Sequence, residues 1–589
     1  MEGVFQKCLV INLSQKKCHH EYISEEVYTN YLGGKGLGLY LLLKKTKPGI
    51  DALSPENIFI IALGPVNDTK IWGSSRYGIF TKSPLTGLFA ESYSGGRVAE
   101  AISRTGFDAI LLQGVCSQPT ILEISDEGVD FHEGVDLWGL DSHETQDLLS
   151  KKIGKKHQGI IVIGPAGENL VRFASVMNNY SRCAGRTGTG AVLGSKKVKA
   201  LVFYGKTERK VAETETVIRL HDEWGQKGKN HPSANFFKKF GTPGLVSIIN
   251  TIGAFPTFYW AEGVSREWHN ISGETLHNEF RVTPNACNRC FMACGRLTTV
   301  TKGRHKGLKI EGPEYETIYA FGGLCAINSL DEIIYLNDIC NRFGMDTITS
   351  GNLASFAIEA SRRGKIKDKL DYGDADAIAS ILHRIVRKEG IGAVLSEGIK
   401  HAAKEWGLED LAIHVRGMEP AGYDPRILKG MGLAYATSDR GACHMRTTAF
   451  KPEISGIIPP DQIEGKAEII VDYEDRCSLM DALVLCRFYR DLYLWDELGV
   501  IIAATTGMKL DRAGLQVIAS NIRNAARYFN VREGVAGEQD TLPRRFFEEG
   551  IGPQKCVITR EELKKLKDDY YRLRGWNTQG VPVQKLPLL

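Results

Sequence analysis

Three cysteines, Cys287, Cys290 and Cys294, lie in the run C-N-R-C-F-M-A-C, and their C-x2-C-x3-C spacing brings three thiolates together along one short stretch of chain. Thiolates are soft ligands that bind zinc or iron–sulfur clusters. A structural zinc site normally has a second C-x2-C or H-x3-H pair nearby, and no such pair follows here. The spacing therefore favours a [4Fe–4S] cluster whose fourth ligand is distant or absent. Zinc and unliganded thiols are the alternatives.

The composition is that of a multidomain globular protein. A chain of 589 residues is too long for one hydrophobic core. The net charge of +4 is too small to indicate nucleic acid or a membrane surface as a partner. No apolar run is long enough for a membrane span, and the N-terminus has no secretory pattern. The 13 cysteines have no disulfide-framework spacing, which favours a reducing cytoplasm.

The first 210 residues contain a repeated pattern. I-I-A-L-G-P at 60–65 and I-I-V-I-G-P at 160–165 are each typical of a buried strand that enters a turn. A glycine-rich stretch with arginine follows each run, at 73–87 and 181–197, and we expect a turn that leads into an apolar strand. Two such edges on a repeated sheet predict a cradle for an anionic ligand. Residues 188–194 lack the downstream acidic residue of a dinucleotide fingerprint.

Helical periodicity dominates after residue 211. Apolar spacing predicts helices at 331–343, 375–389 and 513–530, with C-caps and turns at Gly364, Gly390, Gly407 and Gly422. The sequence therefore predicts an α+β protein. A β-rich, pseudo-duplicated domain at 1–210 precedes two mainly α-helical domains at 211–420 and 421–589, which we expect to pack tightly because no flexible linker separates them.

Several longer strings carry a family resemblance. They include Y-L-G-G-K-G-L-G-L-Y, T-K-S-P-L-T-G, G-P-A-G-E-N-L-V, E-G-P-E-Y-E, R-G-A-C-H and Y-Y-R-L-R-G-W, and their order along the chain is also the family's order. Nearly end to end, the chain resembles the aldehyde:ferredoxin oxidoreductase family of tungsten- or molybdenum-pterin enzymes.

The resemblance implies a fourth cluster ligand. The family places it at the end of an Asp-x-x-Gly-Leu-Cys segment, and the matching run here is D-A-L-V-L-C, which ends at Cys486. Taken alone, a cysteine in such an apolar segment would be a buried packing thiol. Val484 replaces the family's glycine, so we expect the backbone to approach the cofactor less closely there.

The resemblance also implies a bis-pyranopterin cofactor, in which dithiolene sulfurs hold tungsten or molybdenum. The family's magnesium ion, which joins the pterin phosphates, would lie at Tyr93 and Cys183, although Tyr93 cannot copy the family's asparagine. Asn341 replaces the acid of the first pterin segment. The predicted cofactor-binding residues are Arg76, Tyr93, Gly95, Arg182, Cys183, Gly185, Arg186, Asn341, Met345, Asp346, Arg440, Arg446, Asp481 and Leu485.

Glu316 and His444 match the residues that the family places beside the metal. Oxidation of an aldehyde to a carboxylic acid needs a base toward water and a donor to the carbonyl oxygen, and these two side chains can divide those tasks. Without the resemblance, an ordinary buried histidine and a helix-start glutamate would be the simpler reading. Cys325 either packs in the core or lies near the metal.

The resemblance further implies that electrons leave through the cluster to ferredoxin or to an iron–sulfur partner subunit. The alternative function is that of a low-potential, benzoyl-CoA-reductase-like active-site subunit; a zinc-stabilised binding protein is a third possibility. The family's dimer-bridging Glu-x-x-His is replaced by residues 335–338 (Y-L-N-D), so a homodimer would have to form without that metal.

Overall fold

The computed structural model describes all 589 residues. Its N-terminal region contains two six-stranded sheets. The first has the order β2-β1-β6-β3-β4-β5 and consists of β1 (Lys7–Asn12), β2 (Lys17–Tyr22), β3 (Phe59–Ala62), β4 (Tyr77–Lys82), β5 (Phe89–Ser94) and β6 (Ala109–Gln113). The second has the order β8-β7-β12-β9-β10-β11 and consists of β7 (Thr120–Ile124), β8 (Val129–Glu133), β9 (Gly159–Ile163), β10 (Val176–Asn178), β11 (Arg182–Ala184) and β12 (Val198–Phe203).

The two sheets have the same topology. Adding six to each strand number of the first sheet gives the order of the second. In each sheet a single pair is parallel, β1 with β6 and β7 with β12, and the other pairs are antiparallel. The repeated apolar runs form β3 and β9, which occupy equivalent positions. The predicted pseudo-duplicated, β-rich N-terminal region is therefore confirmed.

Side-chain alternation along the strands explains how the sheets pack. Phe59 and Ile61 of β3 point into a core of 25 buried residues shared by both sheets. Ile60 and Ala62 point the other way, into a second core of 46 residues that contains side chains of the C-terminal helices. Because successive side chains of a strand alternate between faces, the first sheet is buried on both sides.

Helices are the main regular element in the rest of the chain. Within the N-terminal region they are α1 (Glu25–Tyr31), α2 (Gly34–Lys45), α3 (Val98–Ser103), α4 (Ser142–Ile153), α5 (Pro165–Glu168) and α6 (Thr189–Ser195). The following helices are α7 (Thr214–Asn230), α8 (Pro232–Phe240), α9 (Leu245–Thr251), α10 (Gly273–Glu279), α11 (Tyr315–Thr317), α12 (Leu330–Phe343), α13 (Thr347–Arg362), α14 (Ala375–Arg387), α15 (Ile391–Ser396), α16 (Ile399–Trp406), α17 (Lys429–Thr437), α18 (Phe450–Ile454), α19 (Lys466–Leu483), α20 (Trp495–Thr506), α21 (Arg512–Arg532), α22 (Arg544–Glu548) and α23 (Arg560–Arg574).

The helical part follows the predicted α+β organisation. The three helices predicted from periodicity correspond to α12, α14 and α21. Buried residues of α12 and α14 belong to the largest core, which contains 74 residues, whereas those of α21 belong to the core of 46 residues. A small antiparallel sheet interrupts the helices and consists of β13 (Arg281–Asn285), β14 (Gly295–Thr299) and β15 (Lys309–Glu311). The domain boundaries at 210 and 420 stay predictions. No helix is long and apolar enough to cross a membrane.

Two sequence-based expectations were wrong. Gly422 does not end a helix: it lies in an irregular segment, where an added Cβ would come within 2.6 Å of the Tyr319 ring. The stretch 181–197 leads into the buried strand β12 as expected, but it is not a single turn, because it contains the short strand β11 and the helix α6. In both places the glycines lie where an added Cβ would meet neighbouring atoms, but the sequence pattern could not specify the element.

Candidate active site and cluster cavity

The four predicted cluster cysteines lie on the wall of one cavity of about 220 Å³. Cys287, Cys290 and Cys294 come from the connection between β13 and β14, whereas Cys486 follows the end of α19. Two backbone hydrogen bonds through Gly73 link these segments. The Cys486 N–H donates to the Gly73 carbonyl (2.9 Å), and the Gly73 N–H donates to the Arg289 carbonyl (2.7 Å). The fold thus brings together thiols that are far apart in sequence.

The helix end before Cys486 has a backbone conformation that favours glycine. Val484 is the C-cap of α19 and has a φ of 57°, in the left-handed region that glycine adopts without strain. The matching position after α12 keeps its glycine, Gly344, with a φ of 73°. A β-branched residue in this conformation costs on the order of 1 kcal/mol or more. The replacement therefore changes backbone strain two residues before Cys486.

The thiols lie close to one another and to backbone donors. The Gly96 N–H donates to Cys287 Sγ at 3.1 Å, and a Cβ on Gly95 would lie 3.0 Å from the same sulfur. Burial, together with Cys486 and Cys287 nearby, raises the pKa of Cys290 to about 11. Burial and Glu314 likewise raise the pKa of Cys294 well above its usual value. Crowded thiols of this kind ionise readily only when a metal centre supplies positive charge.

Two arginines line the cysteine cavity, and only one of them is already in an ion pair. Arg76 lies on its wall and has no carboxylate partner in any ion pair of the structure. Arg182 forms an ion pair with Glu311. Although burial opposes the charged form of Arg182, Cys287 and Glu311 raise its pKa. Arg76 is therefore the guanidinium that is open to an anionic ligand.

A larger cavity of about 740 Å³ shares part of its wall with the cysteine cavity. The shared residues are Ser181, Arg182, Cys183, Glu314 and Phe488. The larger cavity brings together nine of the predicted site residues, which are Arg182, Cys183, Gly185, Arg186, Glu316, Asn341, Met345, Asp346 and His444. Residues that are far apart in the sequence therefore line one cavity, directly beside the cysteines.

Glu316 and His444 face each other in this larger cavity. Glu316 Oε2 accepts a hydrogen bond from the Gly422 N–H (3.0 Å), and Glu316 Oε1 lies 3.5 Å from His444 Nε2. This separation exceeds an ordinary hydrogen bond. Glu316 Oε1 and His444 Nδ1 are buried without any hydrogen-bond partner. Both side chains therefore keep polar atoms available for a bound molecule.

The charge states of this pair follow from their surroundings. Burial raises the pKa of Glu316 to about 8. Burial and the nearby guanidinium of Arg186, followed by those of Arg440, Arg446 and Arg490, lower the pKa of His444 well below its usual value. His444 is therefore a neutral imidazole at neutral pH, whereas Glu316 changes charge close to it.

Asp346 and Arg186 form a polar wall of the same cavity. Arg186 Nε donates to Asp346 Oδ2 (2.9 Å), and the Thr349 hydroxyl lies 2.9 Å from the same oxygen and 2.8 Å from Glu419 Oε2. The hydroxyl has one proton and donates to one of these two oxygens. Burial raises the pKa of Glu419 to about 7, so this carboxyl changes charge close to neutral pH.

Comparison with known proteins identifies the family. The sequence profile described as "Aldehyde ferredoxin oxidoreductase, N-terminal domain" matches residues 8–205. The profile described as "Aldehyde ferredoxin oxidoreductase, domains 2 & 3" matches residues 219–586. The chain belongs to the aldehyde ferredoxin oxidoreductase family.

Individual members of the aldehyde ferredoxin oxidoreductase family are similar along the whole chain. A tungsten-containing aldehyde ferredoxin oxidoreductase of Pyrococcus furiosus is 36% identical over 603 residues, which cover 100% of this chain and 98% of the relative. The WOR-like subunit of an aliphatic sulfonate oxidoreductase of the same organism is 27% identical, and the match covers 98% of this chain and 96% of that subunit. The predicted family resemblance is confirmed.

A solved structure shows the same fold. The active-site complex BamBC of benzoyl coenzyme A reductase, in complex with 1,5-dienoyl-CoA, aligns with a TM-score of 0.85 over 99% of this chain and 96% of the other. Its sequence identity is 23%, so the likeness concerns the fold alone.

Four family-matched residues lie outside both cavities, and three of them, Arg440, Arg446 and Asp481, belong to a buried ion network. Arg446 pairs with Glu91 (2.7 Å) and Asp481 (2.8 Å) and lies 5.0 Å from the centre of the Tyr93 ring. Arg440 donates to the Glu91 carbonyl at 2.6 Å. Leu485 is buried in the adjacent core. Since Tyr93 lines the cysteine cavity, the network lies directly behind that wall.

Sequence reasoning missed the centre of this network. Lys35 is fully buried, donates to Glu91 (3.0 Å) and pairs with Asp439. A signal was available, because a lysine within the apolar, glycine-rich stretch 32–43 has to be buried when the helix packs. A buried charge needs a partner, but the sequence does not show which distant carboxylates supply it.

Cys325 is a core residue. Its side chain is fully buried, belongs to the largest hydrophobic core and lies 3.4 Å from the Gly351 carbonyl, to which the thiol donates. It is not part of the wall of the larger cavity. The structure therefore favours the alternative in which Cys325 packs in the core.

Proposed function

We propose that this chain is a tungsten- or molybdenum-pterin oxidoreductase that oxidises an aldehyde to a carboxylic acid. Electrons would pass through a [4Fe–4S] cluster to ferredoxin or to a partner iron–sulfur subunit. One observation carries the proposal: a buried carboxyl–imidazole pair, Glu316 and His444, faces a cavity that shares its wall with the cavity lined by the four predicted cluster cysteines. Chemistry on the substrate and removal of electrons thus have adjacent places in the fold.

The cysteine arrangement supports a cluster in preference to a single ion. The four predicted ligands all line one cavity of about 220 Å³. A cubane held by four thiolates needs ligands spread around its body in this way. Cys287, Cys290, Cys294 and Cys486 are the proposed ligands.

The larger cavity fits the polar edge of a pterin. Asn341 Nδ2 is buried on its wall without a hydrogen-bond partner, so it is an available donor. Arg76 offers an unpaired guanidinium to a phosphate, and Asp346 offers carboxylate oxygens to pterin amines. Tyr93 donates its hydroxyl to Glu91 at 2.8 Å, so a magnesium ion would rely on the phosphates and the Cys183 carbonyl. When bound, the metal–pterin group supplies a two-electron acceptor.

Glu316 and His444 can activate water, bind the substrate carbonyl and transfer protons. Oxidation of an aldehyde by water to a carboxylic acid forms a C–O bond, breaks the aldehyde C–H bond and releases two electrons and two protons. The ionised Glu316 can take a proton from the attacking water, because Oε1 is free while Gly422 holds Oε2. The neutral His444 can donate its N–H to the carbonyl oxygen as negative charge develops there.

Metal analysis and substrate choice test the proposal. Protein purified without oxygen is expected to contain tungsten or molybdenum and about four irons per chain. It is expected to reduce a viologen dye with an aldehyde as the donor. Zinc without iron would contradict the cluster. Reduction of an aryl-CoA thioester by metal-replete protein that oxidises no aldehyde would favour the benzoyl-CoA-reductase-like alternative.

The arginines of the cysteine cavity are expected to control cofactor retention. Arg76→Ala and Arg182→Ala each remove a guanidinium that we assign to the pterin phosphates and edge. Hydrogen bonds to charged groups contribute about 1.5–3 kcal/mol each, so tungsten occupancy should fall about tenfold or more. Elemental analysis measures the occupancy, and circular dichroism checks the fold. Arg97→Ala, which removes a neighbouring exposed arginine, is the control. Unchanged tungsten content in both variants would argue against the assignment.

A further inference from the structure

A third cavity lies on the outer side of the Arg182–Glu311 ion pair. It is an open groove of about 600 Å³ between the sheet β13–β15 and the turn that joins β10 to β11. Residues of all three strands and of that turn form its walls. The proposed aldehyde chemistry does not use this groove.

The groove carries unpaired positive charge. Arg97, Arg281 and Lys309 are exposed, line the groove and take part in no ion pair. The single carboxylate on its wall is Glu311, which is already paired with Arg182. Three cations are therefore left without compensation, and a surface of this kind attracts an anionic partner over long range.

Two large apolar side chains are exposed in the same groove. Tyr180 is 44% exposed and Leu297 is 47% exposed. Tyr180 lies in a turn where it and Asn179 have φ values of 66° and 45°, a conformation that is unusual for a residue other than glycine. Apolar anchors surrounded by charge are typical of protein–protein interfaces, in which an aromatic side chain contributes much of the binding energy.

The groove is also very close to the cluster ligands. Gly96 lies on its wall and donates its N–H to Cys287 Sγ at 3.1 Å. Asn285 and Ala286, which directly precede Cys287, are on the wall as well. A molecule that binds here is separated from a cluster thiolate by one hydrogen bond through the Gly96 amide.

We propose that this groove docks a small, acidic electron-carrier protein, which accepts electrons from the cluster. The inference rests on the proposed function, because it needs the cluster to be reduced by substrate. Each docking event transfers one electron, so the cluster is oxidised as the carrier is reduced. Two carriers are reduced for each aldehyde oxidised. Acidic side chains of the carrier would face Arg97, Arg281 and Lys309, and its apolar surface would contact Tyr180 and Leu297.

Charge reversal tests the proposal on the holoenzyme. The triple variant Arg97→Glu, Arg281→Glu, Lys309→Glu is compared with a control, Lys367→Glu, Lys369→Glu, Lys404→Glu. The control lysines are exposed, take part in no ion pair and line none of these cavities, so both variants change the net charge equally. With a purified ferredoxin of net negative charge as acceptor, kcat/KM for ferredoxin is expected to fall about 100-fold in the groove variant at low ionic strength. The difference should shrink as salt screens the charges.

A second readout separates the two hypotheses. In a single turnover without acceptor, aldehyde is expected to bleach the cluster at the same rate in the groove variant, the control and the wild type. If no aldehyde bleaches the cluster in any of them, the proposed function fails. If all three bleach normally but the groove variant and the control use ferredoxin equally well, the docking proposal is overturned.

Discussion

Replacing Glu316 with glutamine is expected to lower aldehyde turnover by about 10²–10⁴-fold, the contribution of a positioned base. Glutamine keeps the shape of the side chain and can still accept the Gly422 N–H, but it cannot take a proton from water. Tungsten and iron contents should stay near those of the wild type, because Glu316 lies on no part of the cysteine cavity. Viologen-coupled turnover and elemental analysis on the same sample measure both quantities.

The pH profile distinguishes loss of the base from general damage. Because burial raises the pKa of Glu316 to about 8, the carboxyl is mostly protonated at pH 7 and ionises as the pH rises. Wild-type kcat/KM should therefore increase with pH, reach half of its maximum near pH 8 and level off above about pH 9. The residual activity of Glu316→Gln should lack this rise. If the variant kept the same profile, another group would be the base.

His444→Ala provides the matching test of the donor. Loss of the imidazole should reduce turnover within the same range, but the pH-dependent rise should remain because Glu316 is still present. Burial and Arg186 hold the pKa of His444 well below its usual value. The pH profile of turnover should therefore show no ionisation of His444 between pH 6 and 9. Full turnover in either variant with normal metal content would contradict the assignment of the pair.

Local patterns in the sequence were sufficient for those parts of the fold that depend on neighbouring residues. The repeated apolar runs predicted equivalent strands, because a buried strand followed by Gly-Pro has a recognisable composition. The spacing of Cys287, Cys290 and Cys294 predicted a shared site for the same reason. Cys486 could not be joined to them from spacing, since its position depends on how α19 packs beside the first sheet. There the resemblance supplied what periodicity could not.

Interactions between distant segments were the parts that sequence reasoning missed. Lys35, Glu91 and Asp439 come from three separate stretches, and only the folded chain shows that they compensate one another. Gly422 was predicted to be a C-cap or turn residue, yet its N–H donates to the carboxyl of Glu316, the proposed base. A glycine marks a close approach of the backbone, but the group that approaches belongs to another part of the chain.

Replacing Cys486 with alanine is expected to remove the cluster. Cys486 is the one proposed cluster ligand that comes from the chain after α19, and without it three thiolates would leave an iron open to loss. The visible absorbance of the cluster should disappear or shift to that of an iron-depleted form, and iron should fall below about four per chain. Aldehyde-dependent reduction of an external acceptor should be abolished, because electrons would have no route out of the site.

Cys477→Ala is the matched control for this variant. Cys477 is also buried, belongs to the same helix α19 and does not line the cysteine cavity, so its removal tests only the loss of a packed thiol. It should retain the full iron content and absorbance. Tungsten in Cys486→Ala should decrease less than iron, since Arg76, Arg186 and Asp346 remain in place to bind the pterin. A complete cluster in Cys486→Ala would mean that the fourth ligand is another residue. Cys183 would then be the first candidate, because it lines the same cavity and is the one other cysteine on that wall.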